Sequence, residues 1–401
     1  MTGSPLEGVL VADFSRVLAG PLATMTLADL GATVVKVEQR AGGDDTRNWG
    51  PPWTGYASSY FESVNRSKRS IILDLDRAAD LAAARELARR ADVVVENFRP
   101  GTLRRFGLAY EQVRAANPGV VFCSISGFGT AGGADLAGYD FIVQAVGGLM
   151  SITGEAAGEP LKVGVALVDV LTGKDAAIGI LAALRHRHGT GAGQYVQVNL
   201  MSSLLGALVN QAAGFLATGS SPGRMGNQHP SIAPYETLRC EDGLIAVAAG
   251  NDRQFRTLAA VLGLPTLADD PRFATNPARV ENREALGSEL ESALSTRTAT
   301  AWEERLHAVG VACGRVNDIG AAIEYAAQLG LDPVLDVGPG RMPQLRNPVT
   351  LTSAPLVTPT PPPALGEHTD EVLAWLAADT ADPLPALRRV DLPSPLQEAF
   401  R

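Results

Sequence analysis

Asp169 is the residue whose type and setting best suit covalent chemistry. It ends the apolar run Val163-Gly164-Val165-Ala166-Leu167-Val168 and precedes Val170-Leu171-Thr172-Gly173 and a long apolar helical stretch. A carboxylate held among apolar neighbours is poorly solvated and can serve as a nucleophile or as a proton-transfer base. The same position also suits a plain helix N-cap, since an aspartate oxygen accepts the orphan N–H groups of a first turn. Tyr139-Asp140 repeats the arrangement, with Asp140 as a cap for a helix over Phe141 to Leu149.

Other motifs point to less. Gly127-Phe128-Gly129-Thr130-Ala131-Gly132 has the G-x-G-x-x-G spacing of a dinucleotide site, which would make the chain an NAD-dependent oxidoreductase. It follows the fifth strand-like run rather than the first, and Gly133 and Gly138 delay any helix, so a loop is expected. Lys174 follows Gly173, but Asp175 and Val168 stand where a P-loop needs Ser/Thr and glycine, so no ATP site is expected. His186-Arg187-His188 is not a metal pair, because positions i and i+2 do not share a helix face, and cations before Gly189 complement a helix C-terminus. His229 and His307 are assigned ordinary core or surface roles. Cys123, Cys240 and Cys313 are far apart and form neither a zinc nor a dithiol motif, so no metal is expected and a reducing, cytoplasmic setting is.

Chemistry of this kind needs elements to position it. Apolar runs at 9–13, 33–38, 70–74, 92–96 and 120–125 alternate with helical stretches, notably Arg77 to Ala91 and Gly101 to Asn117. That alternation predicts an α/β fold with a Rossmann-like, doubly wound parallel sheet. Ligands then collect at the carboxyl ends of the strands. The residues there are Asp13 to Arg16, Glu38-Gln39-Arg40, Leu73-Asp74, Asn97-Phe98-Arg99 and Ser126 to Gly129, and their arginines and aromatics suit a phosphate-bearing, adenine-containing ligand. After the helix Ala176 to Arg187 come a glycine loop, a strand Gln194 to Asn199 and a helix to about Thr218. The expected domains are 1–219, a smaller α+β domain over 220–330, and a return segment, 331–401, with seven prolines between Pro343 and Pro363 and a closing helix Thr369 to Ala377.

Composition narrows the function classes. The chain has 401 residues, 46% apolar and 19% charged, which is enough for a large core and excludes disorder. With 43 acidic against 34 basic residues the net charge is −9, so neither a nucleic-acid surface nor an anionic-membrane binder is expected. The longest apolar run, near Ala176 to Leu184, is well short of the ~18–20 residues that span a bilayer. Glu7, Asp13 and Arg16 interrupt what a secretory signal would need, so no export is expected.

Several motifs together carry a resemblance. They include Asp13 to Pro21, Leu30 to Glu38, Ser63 to Ser70, Val95 to Gly101, Gly138-Tyr139-Asp140, Gly164 to Asp169, Asn227 to Tyr235, Gly250-Asn251-Asp252 and Gly366 to Val372. In these the chain resembles, over nearly its whole length, the class III CoA-transferases of the CaiB/BaiF type, a group that also holds the α-methylacyl-CoA racemases. The resemblance implies a Rossmann-like domain, a small domain and a returning chain, two subunits interlinked as a homodimer, and coenzyme A as acyl-CoA substrate without ATP. It implies that Asp169 attacks an acyl-CoA thioester to give an aspartyl anhydride and then an aspartyl-CoA thioester. Asn97, Phe98, Arg99, Arg105 and Tyr139 would line the CoA site with Leu73 near the adenine, and Arg40 would take the phosphate contact that Gln39 cannot.

The branch is indicated by departures. Leu18 stands where the formyl-CoA:oxalate branch has glutamine, and Ala248 to Asp252 where it has a glycine-rich loop, so oxalate chemistry is not expected. Gly43 to Pro52 looks like the branch that moves CoA from succinyl-CoA to glutarate or related dicarboxylic acid acceptors. Gly250 and Asn251 would then meet substrate, and Arg47 would clamp the acceptor's far carboxylate. The nearest rival activity is racemisation. That branch has histidine where Tyr139 stands, and an unperturbed tyrosine (pKa ~10) is a poor base.

Overall fold

The structure, a computed structural model, describes residues 3–378, 382–385 and 387, and the remainder of the 331–401 segment lies outside the described residues. Among them, six parallel strands form one sheet: β1 (Leu10–Asp13), β2 (Thr33–Glu38), β3 (Lys68–Ile72), β4 (Val93–Glu96), β5 (Val121–Ser126) and β6 (Gln194–Asn199), in the order β3-β2-β1-β4-β5-β6. This is the doubly wound order, in which the chain reverses direction across the sheet between β1 and β4. The central strand β4 is buried at every position, as expected for a strand covered on both faces, whereas the edge strand β6 alternates exposed and half-buried residues.

The helices of this first unit are α1 (Ala19–Asp29), α2 (Ser59–Glu62), α3 (Ala78–Arg90), α4 (Tyr110–Ala116), α5 (Asp140–Val146), α6 (Leu167–Thr190), α7 (Leu200–Ala207) and α8 (Val209–Thr218), the last running on into the second unit. Helix α6 buries Val168, Thr172, Ala176, Ile180 and Ala183, a stripe at three- and four-residue spacing. It ends on Gly191 at φ 74°, with Arg187 and His188 in its last turn and Arg187 paired to Asp92 at 3.0 Å. The helix expected over Gly101 to Asn117 is instead a 3-10 turn, Thr102–Phe106, followed by α4. Gly107 breaks it at φ 69°, where the Arg85 guanidinium reaches the Phe106 carbonyl at 2.7 Å. The stretch to Thr218 is likewise two helices, bent by 79° before Val209 at φ 34°. No single described helix is long and apolar enough to cross a membrane.

Two compact units result, one of residues 1–147, 163–213 and 332–401, the other of 148–162 and 214–331. Residues 148–162, left by the sequence reading in the large domain, group with the small one. The second unit holds an antiparallel sheet of β7 (Tyr235–Arg239), β8 (Leu244–Ala248) and β9 (Ala312–Arg315), the last not anticipated. Around it lie α9 (Asp252–Val261), α10 (Asn276–Glu281), α11 (Arg283–Leu294), α12 (Ala299–His307) and α13 (Ile319–Gln328), with Phe255, Leu258, Leu290, Trp302 and Leu306 in its core. The return segment forms a small pair, β10 (Val334–Leu335) with β11 (Gln344–Leu345), and then α14 (Thr369–Ala377). It is joined to the sheet edge: Ser67 and Thr360 exchange bonds at 3.0 and 3.1 Å, and Val372 and Leu376 enter the first unit's core.

Candidate active site

A cavity of about 310 Å³ opens at the carboxyl ends of β1, β4 and β5, where the sheet order reverses. One wall is the β1–α1 turn, Arg16 to Ala19; a second is Asn97 to Pro100 after β4; a third is Ile125 to Gly129 after β5 with parts of 133–139; Asp169 and Leu200 complete it. Close backbone approach explains the glycines. A Cβ on Gly127 would come within 2.5 Å of the Gly138 Cα, so the G-x-G stretch is a loop crossing and no helix begins before α5. A Cβ on Gly173 would stand 2.7 Å from the Ala19 carbonyl, so α6 lies directly against the start of α1 and brings Asp169 beside the β1–α1 turn.

Asp169 is not the cap. Helix α6 starts after Ala166, which has no side-chain cap, and the Asp140 carboxylate accepts the N–H groups of Val168 at 2.7 Å and Asp169 at 3.2 Å. Asp140 therefore caps α6, not the helix it begins, and Gln144 holds its other oxygen at 2.6 Å. The Asp169 carboxyl is left without these donors, and burial together with the Asp140 charge pushes it up to about 7. Tyr60 on α2, missed by the sequence reading, shares this field: burial and the Asp169, Asp140 and Asp44 carboxylates push its phenol up to about 12. Its only sequence signal was the aromatic-rich stretch Trp49, Trp53, Tyr56, Tyr60. At about 12 it keeps its proton at neutral pH and is not a base there.

The wall after β4 is held from below. Glu96 accepts the Phe98 N–H at 2.9 Å and the Ser124 hydroxyl, and burial pushes it up to about 7. The Asn97 amide bridges to the facing turn, accepting from the Arg16 N–H at 2.9 Å and donating to its carbonyl at 2.7 Å. Arg16 lies over the Phe98 ring at 5.4 Å, and Arg16 and Arg99 are exposed cations on the rim. Such a rim favours a polyanion while the floor presents a reactive carboxylate.

Asp169, Asn97, Phe98, Arg99 and Tyr139 are thus brought together, Tyr139 being 61% exposed. Of the other expected residues, those of the first unit do not line this cavity. Arg47 is buried, fixed to Glu38 at 2.7 and 2.8 Å and to the Pro363 carbonyl at 3.2 Å, with its guanidinium 3.7 Å over Phe61, so its charge is already neutralised inside the domain. Leu73 is in the core, because its strand end is covered by α3 and α14. Arg105 is exposed over the Phe106 ring, and Arg40 is exposed beyond β2. Asn251 caps α9 through the Gln254 N–H at 3.0 Å, and the Gly250 N–H meets the Gln254 side chain at 2.9 Å, both within the second unit. Among the described residues no His/Cys/Asp/Glu group could hold a metal ion, and no histidine lines the cavity.

The family model described as CoA-transferase family III matches residues 6–369. A succinate–glutarate CoA-transferase of Agrobacterium fabrum is 43% identical, covering 93% of this chain and 96% of its own. A succinyl-CoA:glutarate CoA-transferase of Mus musculus is 39% identical over 92% of this chain and 86% of its own. Among solved structures, a CaiB/BaiF family protein from Brucella suis superposes with a TM-score of 0.84 at 44% identity, covering 93% of this chain and all of that one.

Proposed function

The chain belongs to CoA-transferase family III and is an enzyme of that class, and from that premise we propose that it moves CoA from succinyl-CoA to a dicarboxylate through covalent intermediates on Asp169. The observation that carries the reading is a carboxylate at about 7 on the cavity floor, deprived of its helix N–H donors by Asp140. A carboxylate of that basicity, poorly solvated, is a stronger nucleophile than an ordinary one. The named activities of the relatives supply the donor and the acceptor class.

In the proposed sequence the ionised Asp169 attacks the thioester carbonyl of succinyl-CoA, the C–S bond breaks, and CoA leaves as the thiolate. The thiolate attacks the aspartyl carbonyl of the resulting anhydride, expelling succinate and leaving an aspartyl-CoA thioester. The acceptor carboxylate attacks that thioester, forming a second anhydride and releasing CoA thiolate. Attack of the thiolate on the acceptor's acyl carbon yields the new acyl-CoA and regenerates the Asp169 carboxylate. Each step exchanges one activated acyl bond for another, so no phosphoryl donor is needed. Asn97, Phe98, Arg99 and Tyr139 are the proposed CoA contacts, with Arg16 added for the phosphates.

Exposed apolar side chains support a homodimer. Phe141, Ile142 and Val146 on α5 and Ile178 on α6 are 54, 42, 59 and 64% exposed, apolar side chains that a partner subunit would cover.

The test is a panel of carboxylic acids offered with succinyl-CoA, with acyl-CoA products identified by mass. Incubation with succinyl-CoA alone should yield a peptide adduct at Asp169 that hydroxylamine removes. D169N should fold and bind CoA yet lose transfer by ~10³-fold or more, because the amide cannot form the anhydride. Retention of most activity in a folded D169N protein would refute the mechanism.

A further inference from the structure

Val17 is a β-branched residue at φ 68° in the wall of the cavity. Branched side chains avoid this left-handed region, and a residue kept there must be held by its surroundings. Here three successive residues are each fixed through the backbone. Lys36 donates to the Ser15 carbonyl at 2.8 Å; Asn97 bonds both the N–H and the carbonyl of Arg16; both Asp44 oxygens accept the Val17 N–H, at 3.2 and 3.3 Å. Lys36 and Asp44 are themselves paired at 2.8 Å with side chains 1% exposed, and Thr46 adds its N–H and hydroxyl to Asp44 at 3.0 and 2.7 Å.

Neither Lys36 nor Asp44 lines the cavity, so their ion pair touches no reacting atom. A buried pair of this kind is weak evidence for stability, because its desolvation offsets its attraction. Its contacts instead converge on one strained turn, the turn that delivers Arg16 to Ala19 to the cavity. We infer that Asp44 and Lys36 are positioning residues for acyl transfer: they hold Val17 in the left-handed conformation and so set the wall that faces Asp169. The inference rests on the reading of Asp169 as the acyl-transfer site.

The experiment is a double-mutant cycle between Asp44 and Val17. Asp44→Asn removes the charge and one acceptor oxygen, so Val17 should relax and kcat/KM should fall by about tenfold to a hundredfold, the scale of a small misplacement of reacting groups. Val17→Gly occupies the left-handed region without strain, so V17G/D44N should return to within about threefold of V17G alone. A merely structural Asp44 predicts the reverse, since glycine adds chain entropy to the unfolded state and would deepen the loss. Amide exchange reads the wall without turnover: the Val17 N–H should be protected in the wild type and in D169N, and exposed in folded D44N. Should D44N not fold, Asp44→Glu keeps the charge opposite Lys36 while moving the carboxylate, and the same cycle with V17G is read on it. Wild-type kcat/KM in the folded Asp44 variant, no rescue by V17G, or an unchanged Val17 amide would each overturn the inference. Loss of transfer in D169N with Val17 still protected tests the site reading separately.

Discussion

At Asp169 two influences act in the same direction, burial and the neighbouring Asp140 charge, and both favour the protonated acid until about pH 7. The nucleophile is the ionised form, so kcat/KM should fall tenfold per pH unit below about 7 and level off above it. Glu96 also reaches about 7, and Glu96→Gln separates the two. The glutamine can accept from the Phe98 N–H and donate to Ser124, so the fold survives, and the acid limb should stay in place if it belongs to Asp169. A limb abolished in E96Q would reassign it. Stability carries the same signature with opposite consequence. Because the folded value lies above the ordinary 3.8, the stability contributed by protonated Asp169 is full below about pH 4 and lost as pH rises through 7. D169N has no such loss, so its Tm should exceed that of the wild type at pH 8 and approach it at pH 4.

Between elements, the junction of α1, α5 and α6 sets the site. Asp140→Ala removes the cap from α6 and should cost about 0.5–2 kcal/mol in denaturant unfolding. The same variant removes the charge that opposes Asp169 and frees two N–H donors next to it, so the acid limb should move to lower pH in the folded fraction. An unmoved limb would dissociate Asp140 from the acidity of Asp169. Gly173→Ala tests the contact with α1. The added methyl would meet the Ala19 carbonyl at 2.7 Å and Leu22 at 3.3 Å, and backbone on one side leaves little room to yield. A loss of about 1–3 kcal/mol is expected from overpacking, with kcat falling more than KM rises as the two helices separate.

For the whole molecule, the proposed homodimer, covering exposed apolar side chains on α5 and α6, would make stability depend on a second copy. Light scattering at micromolar concentration should give the dimer mass, and Tm should rise with protein concentration as mass action requires. A monomer with concentration-independent Tm would refute the proposed dimer. Within the first unit, Asp13, Lys36, Glu38, Asp44, Arg47 and Lys68, three acids and three bases from β1, β2, β3 and the loop after β2, are buried together. One of them, Arg47, is the residue expected from the sequence to clamp the far carboxylate of a dicarboxylate acceptor, and its guanidinium is paired with Glu38.

Local pattern determined a good deal by itself. Alternating apolar runs and helical stretches imply a parallel sheet, and a parallel sheet places ligands at its strand ends, which made Asn97, Phe98 and Arg99 legible as ligand-facing residues, while it was the family resemblance that grouped Tyr139 and Asp169 with them. These are properties of short segments, and periodicity and turn chemistry act over short segments. What tertiary structure decided is who meets whom across the chain. The strand order sets Asn97 against Arg16, 81 residues away, and closes the wall that holds Val17. The close approach of α5 and α6 makes Asp140, not Asp169, the cap, and so leaves the Asp169 carboxyl raised to about 7. The burial of Tyr60 near Asp169, the Lys36–Asp44 pair and the Arg47–Glu38 pair follow from how these side chains are packed. Those depend on distances in space, which no spacing along the chain encodes.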